Sequence, residues 1–243
     1  MKTIKGIWRF SRVICYTFVC LFQAYTRFKH VDRKEKGRML RYYPTQVLKL
    51  AGVRCSYEGH VPELLHECGL TDTPPACLVL SNHVSWLDIF SLDSQLPSRF
   101  IAKAEIAKWP IFGLIAQQIG TLFINRSSKR AILRINDDIR GALCNCEAVT
   151  IFAEGTTTFG NELLPIKANF IAPVCEIGAT VQPVILSYKN KGKPTKQAAF
   201  SGDVTLFGSL WNVVTMEDAE VVVHFLEPIT NTKDLTRHEV AKI

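Results

Sequence analysis

No C-x-x-C pair, no G-x-S-x-G turn, no internal repeat and no low-complexity segment occurs in this 243-residue chain. Each absence removes a class of chemistry. Eight cysteines stand at 15, 20, 55, 68, 77, 144, 146 and 175, and Cys144-Asn145-Cys146 has no His or Cys partner at zinc spacing. Several sit in apolar runs, as reduced core thiols do, so the main domain is expected to face a reducing compartment, most simply the cytosol. Without a G-x-S-x-G elbow, a lipase-type acyl-enzyme is disfavoured. Acidic residues are scarce at one end: residues 1–50 hold 12 Lys and Arg against 2 acids, while the rest holds 17 against 20. Long apolar runs are also missing there. Residues 13–26 carry no charge, but fourteen helical residues cover about 21 Å of a bilayer core of about 30 Å.

What is present at that end is a mixture of cations and aromatics. Lys2, Lys5 and Arg9 precede the apolar stretch, and Arg27, Lys29, Arg33, Lys34, Lys36, Arg38 and Arg41 follow it. Trp8, Phe10, Tyr16, Phe18, Phe22, Tyr25 and Phe28 are interleaved. The combination predicts a membrane-associating helical segment over residues 1–50, lying in or dipping into an anionic surface. Snorkelling of Arg12 and Arg27 leaves a tilted, shallow span open. The residues after Phe22 make a poor signal-peptidase site. A nucleic-acid arm would explain the cations but not the aromatics, so no nucleic-acid partner is expected.

Residues 51–243 read as one domain of short apolar strands alternating with helices. Strands are expected at 53–59, 76–80, 99–102, 120–124, 148–153, 181–188 and 220–226. Helices are expected at 62–68, 85–96, 110–119 and 129–146, the last with Ile132, Ile135, Ile139 and Leu143 on one face. This alternation predicts an α/β fold with a mixed, mostly parallel sheet flanked by helices.

Chemistry gathers in four loops. Asn82-His83-Val84-Ser85-Trp86-Leu87-Asp88 follows the apolar run 77–80. Five residues within one helix mean about 140° of rotation and about 7.5 Å of rise. His83 and Asp88 therefore meet only if His83 sits in the turn before the helix and Asp88 in its first turn. Ser85 and Asp88 also form an S-x-x-D capping box with Ser85 as N-cap, a reading that needs no catalysis. Gly120-Thr121-Leu122-Phe123-Ile124-Asn125-Arg126 sets a guanidinium beyond a strand, where phosphate recognition is natural. In Phe152-Ala153-Glu154-Gly155-Thr156-Thr157-Thr158 the glycine permits a tight turn and its neighbours can donate to an anion. Val181-Gln182-Pro183-Val184 has a proline within a strand, which suggests an edge or bulge beside a cleft.

In this order the four loops resemble the motifs of the PlsC-like glycerolipid acyltransferases, N-H-x-x-x-x-D, G-x-x-F-I-x-R, F-P-E-G-T and V-P-[VI], over about residues 75–230. The stretch from Lys103 to Pro110 resembles that family's segment between its first two motifs. Ala153 replaces the usual proline of the third motif, and Gln182 stands where the fourth often has valine. The resemblance implies the glycerolipid acyltransferase fold and transfer of an acyl chain from acyl-CoA or acyl carrier protein to a lysophospholipid hydroxyl. The most direct acceptor is 1-acyl-sn-glycerol-3-phosphate, giving phosphatidic acid; the alternatives are the same chemistry on a lyso-ornithine lipid or another lysophospholipid, or a non-catalytic membrane-binding module of the same fold. His83 would be the general base and Asp88 its orienting carboxylate. Arg126, Glu154, Gly155 and Thr156 would position the acceptor, with Lys103, Lys167 and Pro183 as further candidates. Neither a metal nor a cofactor is implied. The expected location is a membrane surface, with the catalytic domain on the cytoplasmic side.

Overall fold

The computed structural model describes residues 2–60, 77–125 and 128–243. The helix expected at 62–68, together with Cys68 and Arg126, lies outside the described residues. The strands are β1 (Val53–Gly59), β2 (Cys77–Ser81), β3 (Arg99–Lys103), β4 (Leu122–Ile124), β5 (Val149–Phe152), β6 (Thr180–Asn190), β7 (Lys193–Pro194) and β8 (Ala219–Phe225). Among the described residues they form one sheet in the order β1-β8-β6-β2-β5-β3-β4, with β7 hairpinned onto β6. Strands β6, β2, β5, β3 and β4 run parallel, and β8 with β1 runs the other way. The sheet is mixed and mostly parallel.

Side chains alternate across a pleated strand, and that period divides the core in two. On β2, Cys77 and Val79 join one apolar cluster while Leu78 and Leu80 join the other. The first cluster is closed by α1 (Lys2–Thr26), α2 (Arg33–Ala51), α3 (Leu87–Asp93) and, later in the chain, Leu210, Val213 and Val214. A short helix α4 (Phe112–Gln118) packs against α1. The second cluster is closed by Ile135, Ile139 and Leu143 of α5 (Lys129–Cys144) and Val174 of α6 (Ala172–Ile177). Leu210, Val213 and Val214 belong to α7 (Leu206–Val214), and a last helix, α8 (Arg237–Val240), sets Val240 in the second cluster. Layers of helix, sheet and helix result.

Within the helical segment expected over residues 1–50, the N-terminal helix begins at Lys2 and runs 25 residues. Gly6, Arg9 and Val13 are buried on its inner side, so tertiary contact extends it through the charged first turns. The helix after His83 is shorter than 85–96. Its first turn is opened by Asp88, which draws the Val84 and Ser85 N–H groups to its carboxylate. The cap residue is Trp86, not Ser85, whose hydroxyl only approaches the Leu87 N–H at 3.4 Å. Finally, Pro183 is not on an edge strand: β6 lies between β2 and β8. It sits instead at an offset in the pairing: Val184 opposes Phe225, Leu226 N–H donates to Pro183 O, and Val181 pairs with Ile229 one residue out of register, as in a bulge.

No helix among the described residues is long and apolar enough to cross a membrane.

Candidate active site

Strands β2 and β5 are parallel neighbours with Ser81 opposite Phe152. His83 and Glu154 each lie two residues past that pair. A separation of 71 residues along the chain thereby collapses to roughly one strand spacing, about 4.8 Å. The C-terminal edge of such a sheet is where open α/β folds place their ligands.

Asn82 continues the sheet after the backbone has left it. Its Nδ2 donates to Leu186 O at 3.0 Å and its Oδ1 accepts the Leu186 N–H at 2.7 Å. The side chain thus imitates one more rung of the β2–β6 ladder and fixes where the next residue begins. Two further backbone bonds hold the turn, Thr158 N–H to His83 O at 2.8 Å and Phe200 N–H to Val84 O at 2.8 Å.

His83 Nδ1 stands 2.7 Å from Asp88 Oδ2. The carboxylate is fully buried, whereas the His83 side chain retains 21% exposure. Because Nδ1 faces a carboxylate it carries the ring proton, which leaves Nε2 as the basic atom. The ring is stacked on Phe152, with centroids 3.8 Å apart and planes 8° from parallel. The same Asp88 Oδ2 accepts the Val84 and Ser85 N–H groups at 2.7 and 2.9 Å, and Oδ1 accepts the hydroxyl of Tyr188 from β6. One carboxylate thus holds both the His83 ring and the backbone of the turn that precedes the helix.

Glu154 is 4% exposed, and among the described residues neither of its oxygens has a hydrogen-bond partner. Burial raises its carboxyl above the ordinary carboxylate range, while the neighbouring His83 pulls it back. The backbone amides of His83 and Leu164 also lower it without completing hydrogen bonds. Gly155 takes the left-handed conformation, φ 78°, where its N–H closes a turn on Phe152 O at 3.0 Å. Thr156 is exposed beside it.

His83, Phe152, Gly155 and Thr156 form one wall of a cavity of about 970 Å³. The rest is largely apolar. Val13, Ala24, Met39 and Val47 come from α1 and α2, Ile89 and Phe90 from α3, Ile115 from α4, and Leu210 from α7. Lys103, at the exposed end of β3, also reaches this cavity, and so does the buried Asp93. Lys167 is exposed and lies outside the lining, as does Pro183 within the sheet. His83, Asp88, Glu154, Gly155, Thr156 and Lys103 are therefore gathered at one sheet edge, whereas Pro183 and Lys167 are not part of the cavity wall.

A family model described as Acyltransferase matches residues 62–187. The chain belongs to the Acyltransferase family. Within it, the chain is 42% identical over 154 residues to a 1-acyl-sn-glycerol-3-phosphate acyltransferase of Neisseria gonorrhoeae, covering 63% of this chain and 60% of that one. It is 32% identical over 226 residues to a lyso-ornithine lipid O-acyltransferase of Rhizobium meliloti, covering 88% and 74%. The chain thus spans about three fifths of the length of the Neisseria relative. The crystal structure of PlsC, the 1-acyl-sn-glycerophosphate acyltransferase of Thermotoga maritima, has the same fold. Its TM-score is 0.67 at 18% identity, over all of this chain and 92% of that one.

Two participants were not legible in the sequence. Tyr188 is 100 residues from Asp88, and nothing local marks it. Its only sequence signal is period two: Val184, Leu186 and Tyr188 fall on one face of β6. Phe152 was legible as a strand residue but not as the surface on which the imidazole rests.

Proposed function

We propose that the chain transfers a fatty acyl group from a thioester, carried by CoA or acyl carrier protein, to the free hydroxyl of a lysolipid. The most direct acceptor is 1-acyl-sn-glycerol-3-phosphate, giving phosphatidic acid; similarity to the lyso-ornithine lipid O-acyltransferase of Rhizobium meliloti makes a lyso-ornithine lipid the second reading. The observation that carries the proposal is the 2.7 Å contact of His83 Nδ1 with buried Asp88 at the wall of a largely apolar cavity. A base beside a space for an alkyl chain is what acyl transfer to an alcohol requires.

In this mechanism His83 Nε2 takes the acceptor's hydroxyl proton as the oxygen attacks the thioester carbonyl. The tetrahedral adduct collapses, the carbon–sulfur bond breaks, and the imidazolium returns its proton to the departing thiolate. Ester and thiol are the products, and the enzyme forms no bond of its own. Asp88 holds the tautomer and stabilises the imidazolium. Glu154, facing His83, would orient the acceptor, with Gly155, Thr156 and Lys103 at the same wall. Arg126 enters on its motif alone.

The proposed place of work is the cytoplasmic side of an anionic membrane. The outward side of α1 carries Ile4, Ile7, Trp8, Phe18, Val19, Phe22 and Tyr25, each more than 40% exposed. At 100° per residue these seven fall within about 120° of one another, a continuous apolar stripe opposite the buried Gly6, Arg9 and Val13.

The test is a panel of lysolipids offered to the purified protein with acyl-CoA and acyl carrier protein donors in parallel. Transfer to lysophosphatidic acid is expected, with His83→Ala about 10²–10⁴-fold slower. Transfer only to lyso-ornithine lipid would replace the acceptor. Transfer to no lysolipid from either donor would end the proposal.

A further inference from the structure

We infer that Tyr188 is a positioning residue of the catalytic pair, setting through Asp88 how strongly His83 holds its proton. The inference rests on the acyl-transfer reading for its kinetic consequences, but its structural basis is separate.

Asp88 is completely buried, and a buried carboxylate must find donors for both oxygens. Oδ2 accepts three, from His83 Nδ1 and the Val84 and Ser85 backbones. Those three come from residues within five positions of Asp88, so the turn itself supplies them. Oδ1 accepts the Tyr188 hydroxyl, which arrives from a different strand. The phenol is 6% exposed, and burial next to Asp88 raises its ionisation well above the ordinary tyrosine range. It is a neutral donor throughout the working pH range.

A donor on Oδ1 draws charge away from Oδ2. Without it, Oδ2 carries more charge and grips the His83 Nδ1 proton more firmly, which favours the imidazolium over the neutral base. The carboxylate also loses the contact that fixes its plane, and with it the direction of the imidazole. Among the described residues, the other ionisable groups facing the pair are Glu154 beside His83 and Asp88, and Cys55 of β1 beside Tyr188. Neither donates to Asp88 in the hydrogen-bond set that holds it.

Two variants of the full-length protein test this. Tyr188→Phe removes the hydroxyl and keeps the ring; replacement of Tyr188 by 3-fluorotyrosine keeps the hydroxyl and makes it a stronger donor. For Tyr188→Phe, kcat should fall about 10–100-fold, as for loss of a hydrogen bond to a charged group, with KM within about twofold. The acid limb of kcat/KM should move to higher pH. For fluorotyrosine the limb should move to lower pH. In parallel, NMR of the His83 Nδ1 proton should show opposite displacements in the two variants, a readout that requires no turnover. If the NMR signal and both profiles match wild type, or if both variants move in the same direction, the inference is overturned. A fall in kcat accompanied only by lower thermal stability, with no displacement of limb or signal, overturns it as well. Failure of acyl transfer in wild type, with opposite NMR displacements intact, would instead overturn the acceptor and donor reading and leave Tyr188 where it is placed.

Discussion

At the residue scale, the buried acids divide by what surrounds them. Asp88 is satisfied on both oxygens, but Asp93, one helical turn and a residue later, is not so well provided. It is 2% exposed, and Oδ1 accepts the Ser98 N–H at 3.0 Å. Burial raises its carboxyl well above the ordinary range, and the Ser98 amide only partly offsets this. The sign follows from linkage: the folded state keeps a proton that the unfolded chain releases near pH 3.9, so stability falls as pH rises above that value. Asp93→Asn keeps an acceptor for Ser98 and removes the ionisation. The variant should gain about 2–4 °C in Tm at pH 8, the response of a chain this size to about 1 kcal/mol. At pH 4 the gain should vanish. A gain that is equal at both pH values, measured by thermal unfolding, would show that ionisation is not the cause.

At the element scale, Arg9 is the pin of the N-terminal helix. It is 8% exposed, and its guanidinium donates to Val214 O and Met216 O at 3.1 and 2.9 Å, the negative end of α7. The same guanidinium lies over Gly52, the left-handed cap of α2 at φ 76°, where a Cβ would come 2.2 Å from Arg9 Cζ. One cation carried within α1 therefore joins it to the ends of two other helices, and it needs a glycine beneath it. Arg9→Met leaves two buried carbonyls unpaired and should cost about 1–3 kcal/mol. Gly52→Ala should cost about 1 kcal/mol for its backbone alone, and more because it displaces Arg9. In the double variant the second part should disappear, so the two costs should sum to more than the double variant loses. Strict additivity in chemical denaturation would mean that Arg9 does not rest on Gly52.

Legibility differed by element for a physical reason. Helix α5 was readable because Ile132, Ile135 and Ile139 recur at helical period, and its observed span ends two residues before the expected one. The strands were readable as apolar runs. Pro183, read as an edge or a bulge, is not at an edge. Its missing donor is harmless because the pairing shifts by one residue between Val184–Phe225 and Val181–Ile229, a condition set by the partner segment and invisible locally. The helix after His83 misled because its opening turn serves Asp88 rather than the helix.

At the scale of the whole molecule, α1 and α2 have two sides with different partners. Inward, Val13, Val47, Leu48 and Ala51 join the core of the sheet, and other residues of both helices wall the cavity. Outward, α1 offers its apolar stripe. Deleting the segment would therefore remove core and cavity along with the surface, and would not isolate membrane binding. Point charges on the stripe do isolate it. Phe18→Glu with Phe22→Glu forfeits about 1.5–3 kcal/mol for each ring that would enter the bilayer. Partition onto anionic vesicles, measured by co-sedimentation, should fall well over tenfold while Tm stays near that of wild type. Undiminished partition would place the membrane surface elsewhere on the molecule.

By itself the sequence determined the alternation of strands and helices, the mixed sheet, and the family to which the four ordered loops belong, because these depend on local periodicity and short spacing. It also determined that His83 and Asp88 could meet only across the start of a helix. Tertiary structure decided the rest. It set Glu154 beside His83 through the register of β2 on β5, laid the imidazole on Phe152, and brought Tyr188 to the far oxygen of Asp88. It also folded a basic, aromatic N-terminus into the roof of the cavity. The physical reason is that these contacts depend on which strands are neighbours and in what register, and a strand's own residues do not encode the identity of the strand beside it.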